Sequence, residues 1–350
     1  MRLLTTTIGA YPKPDFVPVP DWFRAEGGPD TDHPTKGYLE AIAGMGDEAE
    51  ERFARGVRQV VEDQTEAGID IPTDGEVRRE NYIHYHCRHL DGIDFETLTP
   101  KDVRGGTYRA ALPSIVGPVK ARARFLDGDW RLAQSFTDRP VKITMPGPMT
   151  IADTTVDLHY HDERRLCADL ATALNAEVLA LAAAGCTHIQ IDEPVFARTP
   201  DRALAYGFEN LARCFHGVPA GVRRTMHMCC GYPDRLDRDD YPKADPDAYI
   251  RLAEAVDRAP VDAVSLEDAH RHNDLSLLER IPNTKVILGV VAIAKSRIET
   301  VEEIRARLRN ALDHIDPERL IAAPDCGLGL LGRDRAREKL SNLAAAAHDL

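Results

Sequence analysis

An imidazole and a thiol stand two residues apart beyond the middle of the chain, in the segment Thr225-Met226-His227-Met228-Cys229. On an extended backbone, residues i and i+2 point to the same side, so His227 and Cys229 can bind one metal ion. Zinc suits such a pair, because it accepts nitrogen and sulfur ligands and often keeps one position open in catalytic sites. A buried histidine beside an apolar cysteine would give the same pattern, so other ligands must decide.

Two further candidate ligands, Glu267 and Cys326, each stand close behind a short apolar run. With the first pair they supply one nitrogen, two sulfurs and one oxygen, which is a tetrahedral set for zinc. The sequence therefore predicts a zinc site formed by His227, Cys229, Glu267 and Cys326. The carboxylate is the ligand that an incoming thiol displaces most easily, which gives Glu267 a catalytic role. A thiol bound to zinc loses its proton near neutral pH and remains nucleophilic.

The elements that must position these ligands alternate between short apolar runs and helical patterns. Such alternation indicates βα units and a parallel sheet. Eight strands are predicted, at residues 3–8, 69–73, 142–145, 188–191, 223–228, 263–266, 285–290 and 320–323. Eight strands favour a closed (β/α)8 TIM barrel, forming a single domain over residues 1–350, with an open doubly wound sheet as the alternative.

Two segments do not fit the strand and helix repeat. Residues 15–46 are rich in Pro, Gly and acidic side chains and predict an amino-terminal extension over the barrel, while residues 92–131 predict an inserted loop or hairpin. In a barrel of this kind, chemistry lies on the loops at the carboxyl ends of the strands. Glu76 and Asp192 also follow predicted strands, so they are expected on the same face as the metal ligands.

Composition narrows the function to small-molecule chemistry. The 350 residues carry a formal net charge of -13, which argues against a nucleic-acid or anionic-membrane surface, where basic patches supply the affinity. Seven irregularly spaced cysteines suggest reduced thiols rather than a disulfide framework. Neither a long apolar span nor a secretory signal is evident, so we expect a cytoplasmic protein without a membrane anchor.

The motifs resemble those of the cobalamin-independent methionine synthases, through the carboxyl-terminal catalytic half of these enzymes and its stand-alone core versions. The matching segments, in chain order, are Thr5 to Pro12, Asp74-Gly75-Glu76, Pro146 to Thr150, Ile189 to Pro194, His227-Met228-Cys229, Ser265-Leu266-Glu267, Gly289-Val290-Val291 and Pro324 to Leu328. The resemblance implies that zinc on the matching ligands activates homocysteine for attack on a methyl group. It also implies that Glu76 and Asp192 hold the substrate's amino group, and the backbone at Ile8 and Ala10 its carboxylate.

Departures from the family pattern concern the methyl donor. Residues 153–155 read Asp-Thr-Thr where the folate enzymes carry a pterin-stacking aromatic, and the family's relay histidine is replaced by Ala294. Folate is therefore a disfavoured donor, which leaves a corrinoid or corrinoid protein, a small methylated compound or another electrophile. His84 and His270 are expected to contact substrate, and either is a candidate for the missing proton relay.

The leading hypothesis is a zinc-dependent methyltransferase that acts on the thiol of homocysteine with a non-folate donor. Three alternatives stay open. The same zinc chemistry could open an epoxide with another thiol such as coenzyme M. A metal-dependent barrel hydrolase is disfavoured, because two cysteine ligands make zinc-bound water less acidic. A non-enzymatic metal- or corrinoid-binding module would hold a closed, structural zinc.

Overall fold

A curled, parallel sheet of seven strands forms the centre of the fold, and the computed structural model describes residues 1–24, 32–103 and 108–350. The strands in these residues are β1 (Leu4–Thr5), β2 (Leu90–Val103), β3 (Tyr108–Ala121), β4 (Lys142–Pro146), β5 (Val156–Asp157), β6 (His188–Asp192), β7 (Arg223–Met228), β8 (Ala263–Glu267), β9 (Lys285–Val291) and β10 (Leu320–Pro324). The central sheet has the order β1-β10-β9-β8-β7-β6-β4, and its pairs are parallel. The predicted α/β class is therefore confirmed.

Helices separate the strands of the central sheet. In the same described residues they are α1 (Asp32–Met45), α2 (Ala49–Glu66), α3 (Tyr82–Cys87), α4 (Leu126–Gln134), α5 (Pro148–Asp153), α6 (Glu163–Ala184), α7 (Pro194–Arg198), α8 (Pro200–Arg202), α9 (Phe208–Cys214), α10 (Ala248–Arg258), α11 (Val301–Leu312) and α12 (Arg333–His348). Short 3-10 turns cover Trp22–Arg24, Gly46–Glu48, Leu275–Arg280 and Pro317–Arg319, and a π-helical turn covers Ala203–Gly207. The chain thus follows the βα alternation that the sequence predicts.

The two edges of the central sheet meet through residues 69–73, which were predicted to be a full strand. Single parallel bridges join Thr6 to Ile71 and Thr73 to Lys142. The backbone of Thr73 is also bound by the side chain of Gln64 from α2, which accepts from its N–H at 3.0 Å and donates to its carbonyl at 2.9 Å. Because a side chain takes these backbone groups, the predicted eighth strand is replaced by isolated bridges.

The predicted insertion is a long antiparallel hairpin, β2 and β3, to which the short β5 adds in parallel. Helix α4 begins at Leu126, so the hairpin ends before the predicted boundary at residue 131. The predicted extension at residues 15–46 lies partly outside the described residues, which omit 25–31. Its described part includes the helix α1.

Helix α6 is the one described helix that is long and apolar enough to cross a bilayer by length and composition. In the fold, 56% of its most apolar window is buried inside the protein. Asp162 caps its first turn by accepting from the Arg165 N–H, and Gly185 ends it at a left-handed φ of 108°. Burial in the core accounts for the apolar composition of this helix.

Candidate metal centre and substrate cavity

Three of the predicted metal ligands meet at the carboxyl ends of β7 and β10. His227 lies in β7, Cys229 directly follows that strand, and Cys326 follows β10. One ring nitrogen of His227 and the two sulfur atoms all lie within 4.8 Å of one another. Zinc–nitrogen and zinc–sulfur bonds are about 2.0 to 2.3 Å long, so one ion can contact all three atoms.

Ser265 on the neighbouring strand β8 determines which nitrogen of His227 faces the cysteines. The Ser265 Oγ lies 3.0 Å from His227 Nδ1, and the two residues are registered partners in the sheet. The other nitrogen, Nε2, lies 3.4 Å from the sulfur of Cys326. A hydrogen bond to the non-ligating nitrogen is the usual way in which a protein orients a metal-binding imidazole. Nε2 is therefore the ring nitrogen that faces the sulfur of Cys326 and is available to a metal ion.

The sulfur atoms of Cys229 and Cys326 lie within 4.8 Å of each other, and each affects the protonation of the other. Hydrogen bonds from Cys326 and then from His227 hold the pKa of the Cys229 thiol well below its usual range. The same pairing, together with burial, raises the pKa of Cys326. A metal ion that binds both sulfurs needs them as thiolates, so its binding would release protons from this pair.

Glu267, the fourth predicted ligand, lies outside this three-residue cluster, at the end of β8. Its Oε1 accepts a hydrogen bond from Lys243 Nζ at 2.5 Å, and its Oε2 accepts one from the backbone N–H of Cys230 at 2.9 Å. Burial raises the pKa of Glu267, and the nearby Asp325 raises it further. Both carboxylate oxygens thus have partners within the protein.

Asp325 ties the loop after β8 to the loop after β10. Its carboxylate accepts the backbone N–H groups of Asp268 and Ala269 at 2.8 Å each and that of His270 at 2.7 Å. It also lies 2.7 Å from His270 Nδ1. Because Asp325 directly precedes Cys326, these contacts hold the second cysteine in place relative to Glu267.

A cavity of about 500 Å³ opens onto the cluster. Its walls include all three clustered ligands and the four residues predicted to hold the two ends of an amino acid, Ile8, Ala10, Glu76 and Asp192. The predicted metal site and the predicted substrate site therefore share one cavity.

Two buried carboxylates, Glu76 and Asp192, stand on the cavity wall. Burial raises the pKa of Glu76 to about 7 and that of Asp192 to about 6. Glu76 Oε1 accepts from Thr144 Oγ1 at 2.8 Å, and Asp192 Oδ1 accepts from Gln190 Nε2 at 2.7 Å. A cationic ligand between the two carboxylates would favour their ionised forms.

The backbone at Glu76 is held in an uncommon conformation. Its φ is 57°, in the left-handed region that few non-glycine residues adopt, and it follows Gly75 at a φ of 66°. A Cβ on Gly9 would lie 2.6 Å from Glu76 Oε1, so a side chain at position 9 would displace this carboxylate from its present place. Strained backbone of this kind concentrates at functional sites, which supports a binding role for Glu76.

Comparison with known proteins identifies the family. A family model described as the catalytic domain of cobalamin-independent synthase matches residues 3–349. The chain belongs to the cobalamin-independent methionine synthase family. Methionine synthases from Saccharolobus solfataricus and Thermococcus kodakarensis are each 32% identical to it, across 97% of this chain and 92% and 91% of their own lengths.

Solved structures agree with membership in the methionine synthase family. The B12-independent methionine synthase from Shewanella sp. W3-18-1, in complex with selenomethionine, has a TM-score of 0.85 at 30% identity and covers 99% of this chain and 97% of its own. A structure from Listeria monocytogenes, with a TM-score of 0.72 at 18% identity, covers 98% of each chain and shares the fold. The predicted resemblance is confirmed, and the chain is a methyltransferase. The predicted corrinoid partner is not supported, because the family is cobalamin-independent.

The relay histidine expected of a methionine synthase has no counterpart on the cavity wall. Ala294, which is predicted to replace it, donates its N–H to His270 Nε2 at 3.3 Å. Since His270 Nδ1 faces Asp325, both ring nitrogens have protein partners. Among the described residues that line the cavity, His227 is the sole histidine. His270, expected to contact substrate, lies behind the wall.

His84, the other histidine expected to contact substrate, is also absent from the described cavity lining. Its Nδ1 lies 2.9 Å from Thr35 Oγ1, and its Nε2 lies 3.1 Å from the carbonyl oxygen of Thr154. Burial lowers the pKa of His84 to about 4, so the ring is neutral at physiological pH. We therefore assign no role in substrate binding to His84 or His270.

An ion pair is formed at residues 153–155, a segment of the cavity side that carries no aromatic residue. Asp153, at the end of α5, lies 3.1 Å from Arg198, and both line the cavity. Lys101 from β2 donates to the carbonyls of Ala152, Asp153 and Thr155 at 2.8 to 3.1 Å. The hairpin thus fixes this side of the cavity in a polar arrangement.

Sequence reasoning missed an aromatic wall of the cavity, formed by Trp22, Phe23, Tyr82 and Tyr232. The ring centroids of Trp22 and Phe23 lie 5.0 Å apart, and those of Phe23 and Tyr232 lie 5.3 Å apart. The available signal was the pair of adjacent aromatics in a proline-rich segment. Lys243, which also lines the cavity, was missed because nothing in its local sequence marks it.

Proposed function

We propose that this chain methylates the sulfur of homocysteine to give methionine, using zinc bound by His227, Cys229 and Cys326 with Glu267 as the fourth ligand. The observation that carries the proposal is the His/Cys/Cys cluster at one cavity with two buried carboxylates. Family membership supports the same reaction.

The donor atoms fit zinc. One imidazole and two thiols form a set that suits zinc rather than magnesium or calcium, which prefer oxygen ligands. The bond between His227 and Ser265 supports the fit, because it leaves Nε2 free for a metal. A bound zinc ion would lower the pKa of the substrate thiol and keep the thiolate nucleophilic.

The protein's own residues position the amino acid. Glu76 and Asp192 would bind its ammonium group as ionised carboxylates, and the backbone at Ile8 and Ala10 would bind its carboxylate. The Shewanella relative is in complex with selenomethionine, an amino acid whose side chain resembles the methylated product. In the reaction, a sulfur lone pair forms the new S–CH3 bond, and the electron pair of the broken bond stays on the donor.

We infer that the donor is not folate. Support comes from the pair of Asp153 and Arg198 in place of a stacking aromatic and from the alanine at position 294. A small methylated compound is the donor class that we propose in its place. Opening an epoxide with coenzyme M is less well supported, because that thiol has no ammonium group for Glu76 and Asp192. A cytoplasmic location stays a prediction.

We also propose that the sheet closes as an eight-stranded barrel within one domain of residues 1–350. The single bridges at residues 69–73 support closure, since they link both edges of the seven-stranded sheet. The loops that carry the proposed ligands would then surround one end of the barrel.

Zinc content and thiol methylation test the proposed function together. The purified protein is expected to hold about one zinc ion per chain, and Cys326→Ser to lose most of it because a thiolate ligand is gone. Cys167→Ser is the matched control, since Cys167 is buried in α6 outside the cluster. A screen of methyl donors with homocysteine and coenzyme M then identifies the substrates. Full activity after thorough zinc removal would contradict the proposal.

A further inference from the structure

Lys243 holds the carboxylate of Glu267 in this structure. Its Nζ lies 2.5 Å from Glu267 Oε1, and only 15% and 3% of the two side chains are exposed. Lys243 also lines the substrate cavity, and its Nζ lies 5.0 Å from the centroid of the Tyr241 ring, within the range of a cation–π contact. The ammonium therefore stands between the cavity and a proposed metal ligand.

The backbone around Lys243 is fixed to the turn that carries Cys229. The Ala244 N–H donates to the carbonyl of Cys230 at 2.8 Å, and Arg271 Nη1 donates to the carbonyl of Ala244 at 2.7 Å. The Cys230 N–H in turn donates to Glu267 Oε2. Both donors to the Glu267 carboxylate, Lys243 Nζ and the Cys230 N–H, are therefore carried by backbone segments that are hydrogen-bonded to each other.

We propose that Lys243 is a positioning residue that receives the carboxylate of Glu267 when the substrate thiolate takes its place as a ligand. This role of Lys243 rests on the proposed function and concerns the same site. A thiolate replaces one anionic ligand with another, but the displaced carboxylate stays buried. A buried carboxylate without a partner is costly, and the ammonium of Lys243 with the Cys230 N–H supplies the charge and the hydrogen bonds that it needs.

Thiol binding to protein loaded with Co²⁺ in place of zinc tests this role, because the visible spectrum of the ion reports ligand exchange. Lys243→Met is expected to bind homocysteine about ten-fold more weakly or worse, since the displaced carboxylate loses a charged partner. The metal affinity of Lys243→Met, measured in competition with a chelator, should be equal or higher. Without Lys243 the displaced state of the Glu267 carboxylate is less stable, so this carboxylate stays on the metal. Lys243→Arg should restore thiol affinity.

The matched control is Lys295→Met, which removes a lysine that pairs with Asp239 instead of with Glu267. In a Glu267→Gln background, Lys243→Met should change thiol affinity little, because the amide carries no charge. An unchanged thiol affinity in Lys243→Met, or the same loss in both backgrounds, would overturn the role of Lys243. If the unmodified protein takes up neither Co²⁺ nor homocysteine, the proposed function itself fails.

Discussion

At the scale of single residues, two buried lysines differ in whether the ammonium group has a hydrogen-bond partner. Lys339 Nζ donates to the carbonyl of Ala292 at 2.9 Å and to Glu299 Oε2 at 2.8 Å. Lys142, in β4, is equally buried, but its Nζ has no hydrogen-bond partner among the described residues. Burial lowers the pKa of Lys142 to about 7, although Asp192 partly opposes this.

We expect Lys142→Met to raise the free energy of unfolding by about 1 to 3 kcal/mol at pH 7, the usual cost of burying an unpaired polar group. The folded pKa of about 7 lies below the ordinary value of 10.5, so the unfolded chain binds the proton more tightly and stability rises with pH between these values. The gain from the substitution should therefore be largest below pH 7 and fade toward pH 10.5. Urea titrations across this range measure it.

Lys339→Met is the matched control and should destabilise the protein, because it leaves Glu299 without its ammonium partner. A Lys142→Met protein that is no more stable than the parent at pH 6 would show that Lys142 has a partner in solution.

The residue types of the site were predictable where they follow a strand. His227, Cys229 and Cys326 stand at strand ends, and the parallel sheet brings such ends to one edge. Lys243 was not predictable, because it lies in a long loop and its position depends on contacts of Ala244 with Cys230 and Arg271. Tertiary contacts of this kind leave no local pattern.

At the scale of elements, the amino-terminal segment shapes the cavity by packing on the loop after β10. A Cβ on Gly329 would lie 2.4 Å from the ring of Phe23, so the ring occupies the space that a side chain would need. Phe23 lines the cavity together with Trp22. The aromatic wall therefore depends on a glycine outside the cavity.

Gly329→Ala is expected to displace the Phe23 ring and raise the KM for homocysteine several-fold, through a misplaced wall rather than altered chemistry. Gly332→Ala is the matched control, because a Cβ there meets no atom within 4 Å. Gly329→Ala should also lower the stability of the fold, because the new Cβ and the Phe23 ring need the same space. Adding Phe23→Leu should recover this loss. Steady-state kinetics and thermal unfolding measure both effects, and equal KM values for the two alanine variants would refute the packing role.

The six strands of the central sheet from β4 to β10 were predicted to within one residue of their observed bounds. Residues 223–228 form β7 as predicted, and β9 extends the predicted 285–290 by one residue. Residues 69–73 read as a strand, yet Gln64 binds the backbone of Thr73 in place of a longer ladder. A side chain from a neighbouring helix decided the outcome, and the local sequence does not reveal it.

At the scale of the whole molecule, the junction at residues 69–73 links the two edges of the central sheet, which are formed by β1 and β4. Gln64 also accepts a hydrogen bond from Thr7 Oγ1 at 2.6 Å, so one buried side chain joins α2 both to the segment after β1 and to the junction. The proposed barrel closure thus depends on side-chain hydrogen bonds as well as on a strand ladder.

Gln64→Leu is expected to lower the free energy of unfolding by about 2 to 4 kcal/mol, because the N–H and carbonyl of Thr73 lose buried partners. Glu62→Leu, on the exposed face of the same helix, is the matched control. Chemical denaturation followed by circular dichroism measures the difference. Similar unfolding midpoints for the two variants would show that the junction holds without Gln64.

The hydrogen bonds of Asp325 to the loop after β8 affect how the protein should respond to a shortage of zinc in the cell. Because four hydrogen-bonding groups hold that carboxylate, folding alone arranges the loops that carry Glu267 and Cys326. Small zinc domains unfold when the ion is removed, whereas the contacts of Asp325 with the loop after β8 involve protein groups and no metal ion. We therefore expect zinc starvation to leave an idle but intact enzyme that regains activity upon resupply without new protein synthesis.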